Sequence, residues 1–206
     1  MKLQIDDMAH YLDYDEIIDF GFNPQCTLTK LANEILTFSK DEIDCIKNTF
    51  EYVRDKIFHS ADIQGQSVTC KASEVLLAKE GICFAKSHLL AALLRCNQIP
   101  TGFCYQRLIL NDEMAPCFVL HGLKAVYVER FDKWVRLDAR GNKLRISTPF
   151  SLERENLAFE IRPEQGEEDT PIIFATPDRN VIRALENSKN LETLWSNLPT
   201  ELHCVY

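Results

Sequence analysis

Apolar residues in the first half of the chain repeat at helical spacing, and those in the second half alternate or run together as in strands. Leu28, Leu31, Ala32, Ile35 and Leu36 form one stripe over 27–38, and Ile43, Ile46, Phe50, Val53 and Ile57 form a second that runs to about 58. Ser39 with Glu42 reads as a capping box opening the second helix. Cys45 lies off this stripe and takes no role. Residues 59–70 are polar and turn-like, and two further apolar segments, 72–80 and 84–95, flank Gly81-Ile82-Cys83. Gly81 suits a helix C-terminus because it accepts a left-handed backbone without strain. The second segment has strong helix formers and almost no polar face, which predicts a buried helix. Beyond Asn97-Gln98-Ile99-Pro100 the period changes. Residues 102–111 alternate at Phe103, Tyr105, Arg107 and Ile109, residues 117–129 are apolar on both faces, and 134–138 forms a third strand after a turn near Phe131. Met114-Ala115-Pro116 breaks the first two strands apart. Helices followed by an antiparallel sheet predict an α+β fold.

The flanks carry weaker patterns. Residues 1–26 read as an acidic, aromatic, extended arm with a short helix and a break at Asn23-Pro24. Past 150 come a charged helix at 151–158, an acidic loop at 164–169, a short strand at 172–174, a helix capped by Asp178, and a last apolar patch at Leu191, Leu194, Trp195 and Leu198. This extension is expected to cover the sheet or part of a groove, or to form a homodimer contact. A length of 206 residues fits one domain, with a helical part over 1–60, the core over 61–148 and the extension over 149–206.

Composition narrows the class. The chain is 46% hydrophobic and 26% charged, as in an ordered soluble protein. Its net charge of -8 argues against nucleic acid or an anionic membrane as partner, since both need clustered Lys and Arg. The N-terminus turns acidic at Asp6-Asp7 with no apolar leader, and no stretch approaches a membrane span, so a cytoplasmic location is expected. Eight cysteines in such a setting read as free thiols. There is no Cys-x-x-Cys pair, and the Cys117/His121 spacing alone is poor support for zinc.

One cysteine stands apart by position. Cys83 falls at the start of the buried helix, where unpaired N–H groups and the helix dipole favour an anion and hence a thiolate. The other seven lack a helix N-terminus directly after them and read as small core hydrophobes or surface thiols. His121, early in the central strand with Gly122 leaving space beside it, is the candidate base. Asp138, closing the third strand, could fix its tautomer. A turn centred on Phe131 strains that pairing, because it sets Asp138 opposite Lys124, about 10 Å from His121 along the strand. His88 is five residues past Cys83, well round the helix, and is expected in the core or at its rim. Gln64 and Gln66 are candidate second oxyanion donors, although loop glutamines are more often plain solvated surface.

Glu80-Gly81-Ile82-Cys83, the run Leu89-Leu90-Ala91-Ala92-Leu93-Leu94-Arg95 leading to Ile99-Pro100, then His121, and Trp134-Val135-Arg136-Leu137-Asp138 together resemble the bacterial transglutaminase-like domain proteins. The resemblance covers about residues 45–142 and implies a papain-like core, with the catalytic helix packed on an antiparallel sheet. It further implies Cys83 as nucleophile, His121 as general base and acid, and Asp138 as orienting carboxylate on a neighbouring strand. Where many members have His-x-Trp and Asp-Pro-Thr, this chain has His121-Gly122-Leu123 and Asp138-Ala139-Arg140. Its groove should therefore differ, with Tyr105, Gln106, Arg107, Arg140 and Asn142 as candidate lining residues.

The chemistry expected is cysteine-dependent hydrolysis of a peptide or small amide through a thioester, or acyl transfer to an amine, with no metal or organic cofactor. A catalytically silent transglutaminase-like scaffold is the alternative, and a redox or metal-binding set of thiols a third reading.

Overall fold

A computed structural model describes residues 1–19, 27–110 and 117–203. Four helices come first: α1 (Thr27–Phe38), α2 (Glu42–Lys56), α3 (Ala72–Ala78) and α4 (Cys83–Cys96). The long strands β4 (Thr101–Leu110), β5 (Cys117–Val128) and β6 (Lys133–Leu137) follow. Short strands complete the frame: β1 (Lys2–Leu3), β2 (Phe58–His59), β3 (Glu80–Gly81), β7 (Glu168–Asp169) and β8 (Ile172–Ile173). Two late helices are α5 (Arg179–Glu186) and α6 (Leu191–Ser196). The main sheet is antiparallel in the order β6-β5-β4-β7, β2 pairs with β3, and β1 pairs with β8. Among the described residues, no helix is long and apolar enough to cross a membrane.

Helix α4 is the axis of the core. It touches α1, α2 and α3 and also β4 and β5, and every residue from Phe84 to Arg95 is buried. A helix that apolar carries its two cations to its ends, where each finds carbonyl oxygens. Lys86 Nζ, in the first turn, donates to the carbonyls of Arg54, Ile57 and Arg140. Arg95, in the last turn, donates to the carbonyls of Asp13, Thr101 and Ala175. A buried ammonium or guanidinium is tolerated only when its donors are satisfied in this way. Phe103, Tyr105, Leu120 and Val126 of the sheet pack into the helical core, while Cys104, Leu123 and Ala125 pack with Tyr11, Ile173 and Ala175 in a second cluster. β5 is thus covered on both faces, as its unbroken apolar run predicts.

Several local readings change. The cap of α2 is Asp41, which accepts from Asp44 N at 2.9 Å, whereas Ser39 Oγ donates back to Ile35 O at the end of α1. The left-handed residue ending α3 is Lys79, φ 57°, and not Gly81. Gly81 lies in β3, where an added Cβ would stand 3.0 Å from both Ala85 Cβ and Thr69 Oγ1, so the glycine serves close packing. Residues 151–158 form no helix. Ser151 Oγ accepts from Glu153 N and Arg154 N, a local bond that competes with helix, and Arg136 holds Glu155 in an ion pair. The acidic loop at 164–169 includes β7, where Asp169 reaches Arg136 at 2.6 Å. The breaks at Asn23-Pro24 and Met114-Ala115-Pro116 lie outside the described residues.

Candidate active site

Cys83 is the first residue of α4 and is half-buried; its N-cap, Ile82, offers no side-chain acceptor. The first N–H groups of a helix have no acceptor within it, so that of Cys83, on the residue that carries the sulfur, is available to an incoming oxygen. The route into this turn is fixed by β2 and β3, with Phe58 paired to Glu80 and His59 to Gly81. Phe84, the next residue, is buried against β5, and Gly122 makes this approach possible: a Cβ there would lie 2.7 Å from Phe84 Cδ1. The glycine beside His121 therefore lets the start of α4 close onto β5. Gly122→Ala is expected to cost about 1–3 kcal/mol by overpacking. It should also slow alkylation of Cys83, which urea unfolding and thiol labelling would check together.

His121 Nε2–H donates to Asp138 Oδ2 at 2.8 Å, and both side chains are buried. The pairing works because the β5/β6 register is one residue off the one expected. Lys124 pairs with Leu137 and Val128 with Lys133, with the four-residue connection 129–132 turning through Asp132 in the left-handed region. Extending that register sets Asp138 opposite Leu123, not Lys124. A one-residue slip changes the sheet face. The observed register puts Asp138 on the face of His121, two residues away, within reach of a diagonal side-chain contact. Neither a bulge nor a longer turn is needed.

Asp138 is held as a carboxylate. Its Oδ2 also accepts from Ala158 N at 2.9 Å and its Oδ1 from Arg140 N at 3.0 Å. Burial opposes its charge, but His121 and these donors outweigh that and lower its pKa. For His121, burial likewise opposes the charged ring. The attraction of Asp138 and Cys83, with hydrogen bonds to both, raises its pKa well above the usual imidazole range. Since Nε2 is bonded to Asp138, Nδ1 is the ring nitrogen left free to face the Cys83 sulfur. Phe159 packs edge-on against the imidazole with centroids 5.0 Å apart. Burial pushes the thiols of Cys70 and Cys104 up to about 12, so they stay protonated.

A cleft of about 730 Å³ opens over Cys83 and His121. Leu108, Val119, Leu120 and Phe159 supply apolar wall, Arg140, Lys143 and Arg145 a cationic rim, and Trp195 and Leu198 of the C-terminal extension close one side. Asp62 receives both Arg140 and Lys143. Of the lining candidates named from sequence, Arg140 does line the cleft. Tyr105 is buried, its Oη accepting from Asp178 N, Arg107 stacks on Phe118, and Asn142 Oδ1 accepts from Thr148 N. Gln106 is buried in the sheet, and Gln64 and Gln66 are exposed and outside the cleft. His88 lies in the core, with Nδ1–H donating to Cys70 O at 2.7 Å. The sequence offered no signal for Ala158, Phe159 or Lys86, because each acts through a contact remote in the chain. His59 too lines the cleft, from a strand of two residues too short to show a period.

A sheet carrying the His–Asp pair, with a cysteine at the start of a buried helix packed on it, defines a papain-like fold of the transglutaminase type. Residues 29–139 match the family model of the transglutaminase-like superfamily, and the chain belongs to that superfamily. Among solved structures, it resembles a proposed cysteine protease from Cytophaga hutchinsonii with 17% identity and a TM-score of 0.51, over 66% of this chain and 43% of that one. It also resembles the periplasmic domain of TgpA from Pseudomonas aeruginosa, solved with ethylmercury, with 13% identity and a TM-score of 0.44, over 59% and 46% of the two chains. The chain spans less than half the length of these structures. No curated protein matches it in sequence.

Proposed function

We propose that the protein is a cysteine-dependent hydrolase of peptide or small amide bonds that works through Cys83, His121 and Asp138. The observation that carries this reading is the buried His121–Asp138 bond, 2.8 Å long, in the cleft that also holds Cys83 at a helix N-terminus. Cys83 Sγ, its proton passed to His121 Nδ1, attacks the amide carbon as thiolate, and the carbonyl electron pair moves onto oxygen, which accepts from the Cys83 backbone N–H. Collapse of that adduct breaks the C–N bond as His121 Nδ1–H protonates the departing nitrogen, leaving a thioester on Cys83. Water then adds to the thioester, His121 Nδ1 takes its proton, and the Cys83 sulfur leaves as the carboxylic acid is released. Asp138 keeps the imidazole in one orientation and stabilises its charged form throughout. An amine entering in place of water gives transamidation by the same steps.

Iodoacetamide labelling of the folded protein, followed residue by residue by mass spectrometry, tests the pair. Cys83 is half-buried and Cys117 exposed, so access alone favours Cys117. Faster labelling of Cys83 near neutral pH, slowed about tenfold or more in His121→Ala, is the expected result. A Cys83 no faster than Cys117 would sink the reading.

A further inference from the structure

Attack on an amide carbon leaves negative charge on oxygen, and one backbone N–H rarely suffices to hold it; a second donor fixed nearby in a dry site is worth about 10²–10³ in rate. Several donors line the cleft, but most are committed. Arg140 and Lys143 face Asp62, Arg162 faces Glu167, and His121 faces Asp138. Arg145 and Ser147 stand exposed on the rim. His59 differs, being 9% exposed and still part of the cleft wall.

Its backbone is set beside the nucleophile. His59 pairs with Gly81 across the β2/β3 ladder, Ser60 N donates to Gly81 O at 3.3 Å, and Cys83 follows two residues after Gly81. Paired strands lie about 4.8 Å apart, so the imidazole starts from one strand spacing away from the turn that presents Cys83. Its tautomer is determined as well. Ala61 N–H donates to His59 Nδ1 at 3.3 Å, and since a backbone N–H can only donate, that nitrogen carries the lone pair and Nε2 the proton. The charges around the ring are Arg140, Asp62, Lys86 and His121. Burial, followed by the nearby Arg140 charge, lowers the pKa of His59 to about 3, so the ring stays neutral. A neutral imidazole can donate to a developing oxyanion without adding a second cation beside the His121 imidazolium.

We propose that His59 is the second oxyanion donor of this site, giving its Nε2–H to the carbonyl oxygen that Cys83 attacks. It takes the role that the sequence suggested for Gln64 or Gln66. This assignment rests on Cys83 as nucleophile and adds a group that contacts the reacting atoms.

The test compares two reagents on wild type, His59→Gln and His59→Asn. p-Nitrophenyl acetate acylates Cys83 through a tetrahedral oxyanion, and its rate is read from nitrophenolate release less that of Cys83→Ala, with acetylated Cys83 confirmed by mass. Iodoacetamide alkylates Cys83 at a saturated carbon, where no oxyanion forms. Glutamine sets its amide N–H close to the position of Nε2, whereas asparagine sets it at that of Nδ1. His59→Gln is therefore expected to acylate within about tenfold of wild type and His59→Asn to be slower by about 10²–10³, with alkylation unchanged in both. Equal acylation by the two variants overturns the assignment. So does a parallel loss of acylation and alkylation, which would show that His59 merely shapes the cleft. If Cys83 of the wild type alkylates no faster than Cys117, the nucleophile itself fails and His59 with it, an outcome distinct from the other two.

Discussion

Asp138→Asn should lower kcat/KM by about 10³–10⁴ with little change in KM. The carboxylate is fully buried and accepts three hydrogen bonds, two at Oδ2 from His121 and Ala158 and one at Oδ1 from Arg140 N. An amide offers one acceptor in place of two. With its oxygen toward His121 and Ala158, its NH₂ meets the Arg140 N–H, donor against donor; flipped, it meets the other two. Either way the negative charge that holds the His121 proton is gone. In the wild type, His121 has a pKa raised to about 10 from 6.5, so its stabilising contribution is full below about 6.5 and lost as pH rises through about 10. Removing Asp138 should therefore move the alkaline limb of the rate profile to lower pH. It should also flatten the part of the stability curve due to His121, whose steepest slope is about 1.4 kcal/mol per pH unit for one proton. Rates between pH 6 and 10, with urea unfolding of both proteins at the same points, would check this. If the Asp138→Asn variant kept the wild-type alkaline limb, Asp138 would be ruled out as the group that sets it.

Lys86→Met should destabilise the fold by about 3 kcal/mol and reduce kcat by about tenfold, even though the side chain does not line the cleft. Lys86 Nζ sits among three carbonyls: Arg54 at 3.2 Å, Ile57 at 2.5 Å and Arg140 at 3.2 Å. The first two belong to the end of α2, and the third lies two residues past Asp138, so one ammonium ties α2, the Asp138 turn and the helix of Cys83 together. Methionine keeps the volume and removes every donor, leaving buried carbonyls unpaired. Burial, with the Arg140 charge adding to it, lowers the lysine pKa to about 7 from 10.5. Between those values the unfolded chain binds the proton and the native protein does not, so the wild type gains stability as pH rises from about 7 to about 10.5. The methionine variant has no such gain. Its deficit should be larger at pH 9 than at pH 7, as denaturant midpoints at the two values would show. A deficit that stays the same at the two values would mean that the native amine keeps its proton throughout.

The core elements were legible from the chain alone because each announces itself locally. The apolar stripe of α2, the all-round apolar run of α4 and the two-faced run of β5 are periodic over ten or more residues, and each formed as its period requires. Cys83 was recognisable for the same reason, since its peculiarity is its place at the start of a long helix. The errors fall where a residue has two local options and a distant contact selects one. Gly81 could end a helix or admit Ala85 and Thr69 to its backbone, and it does the second. Residues 151–158 have helical composition, yet the bonds of Glu155 to Arg136 and of Ala158 N to Asp138 hold them in an irregular run.

Sequence by itself determined the order of helices before sheet, the burial of α4, and the candidates Cys83, His121 and Asp138, because hydrophobic period and helix polarity act within a few residues of each position. The meeting of those three was a tertiary matter. It depends on a register counted to a single residue in the β5/β6 connection, on the space at Gly122 that admits Phe84, and on donors from Arg140 and Ala158. The environment of His59 and Lys86 was likewise fixed only on folding. Charge burial and hydrogen-bond partnership depend on what surrounds a side chain in space, and several decisive partners lie far apart in the chain, such as His121 and Asp138, 17 positions apart, and Asp62 and Arg140, 78 apart.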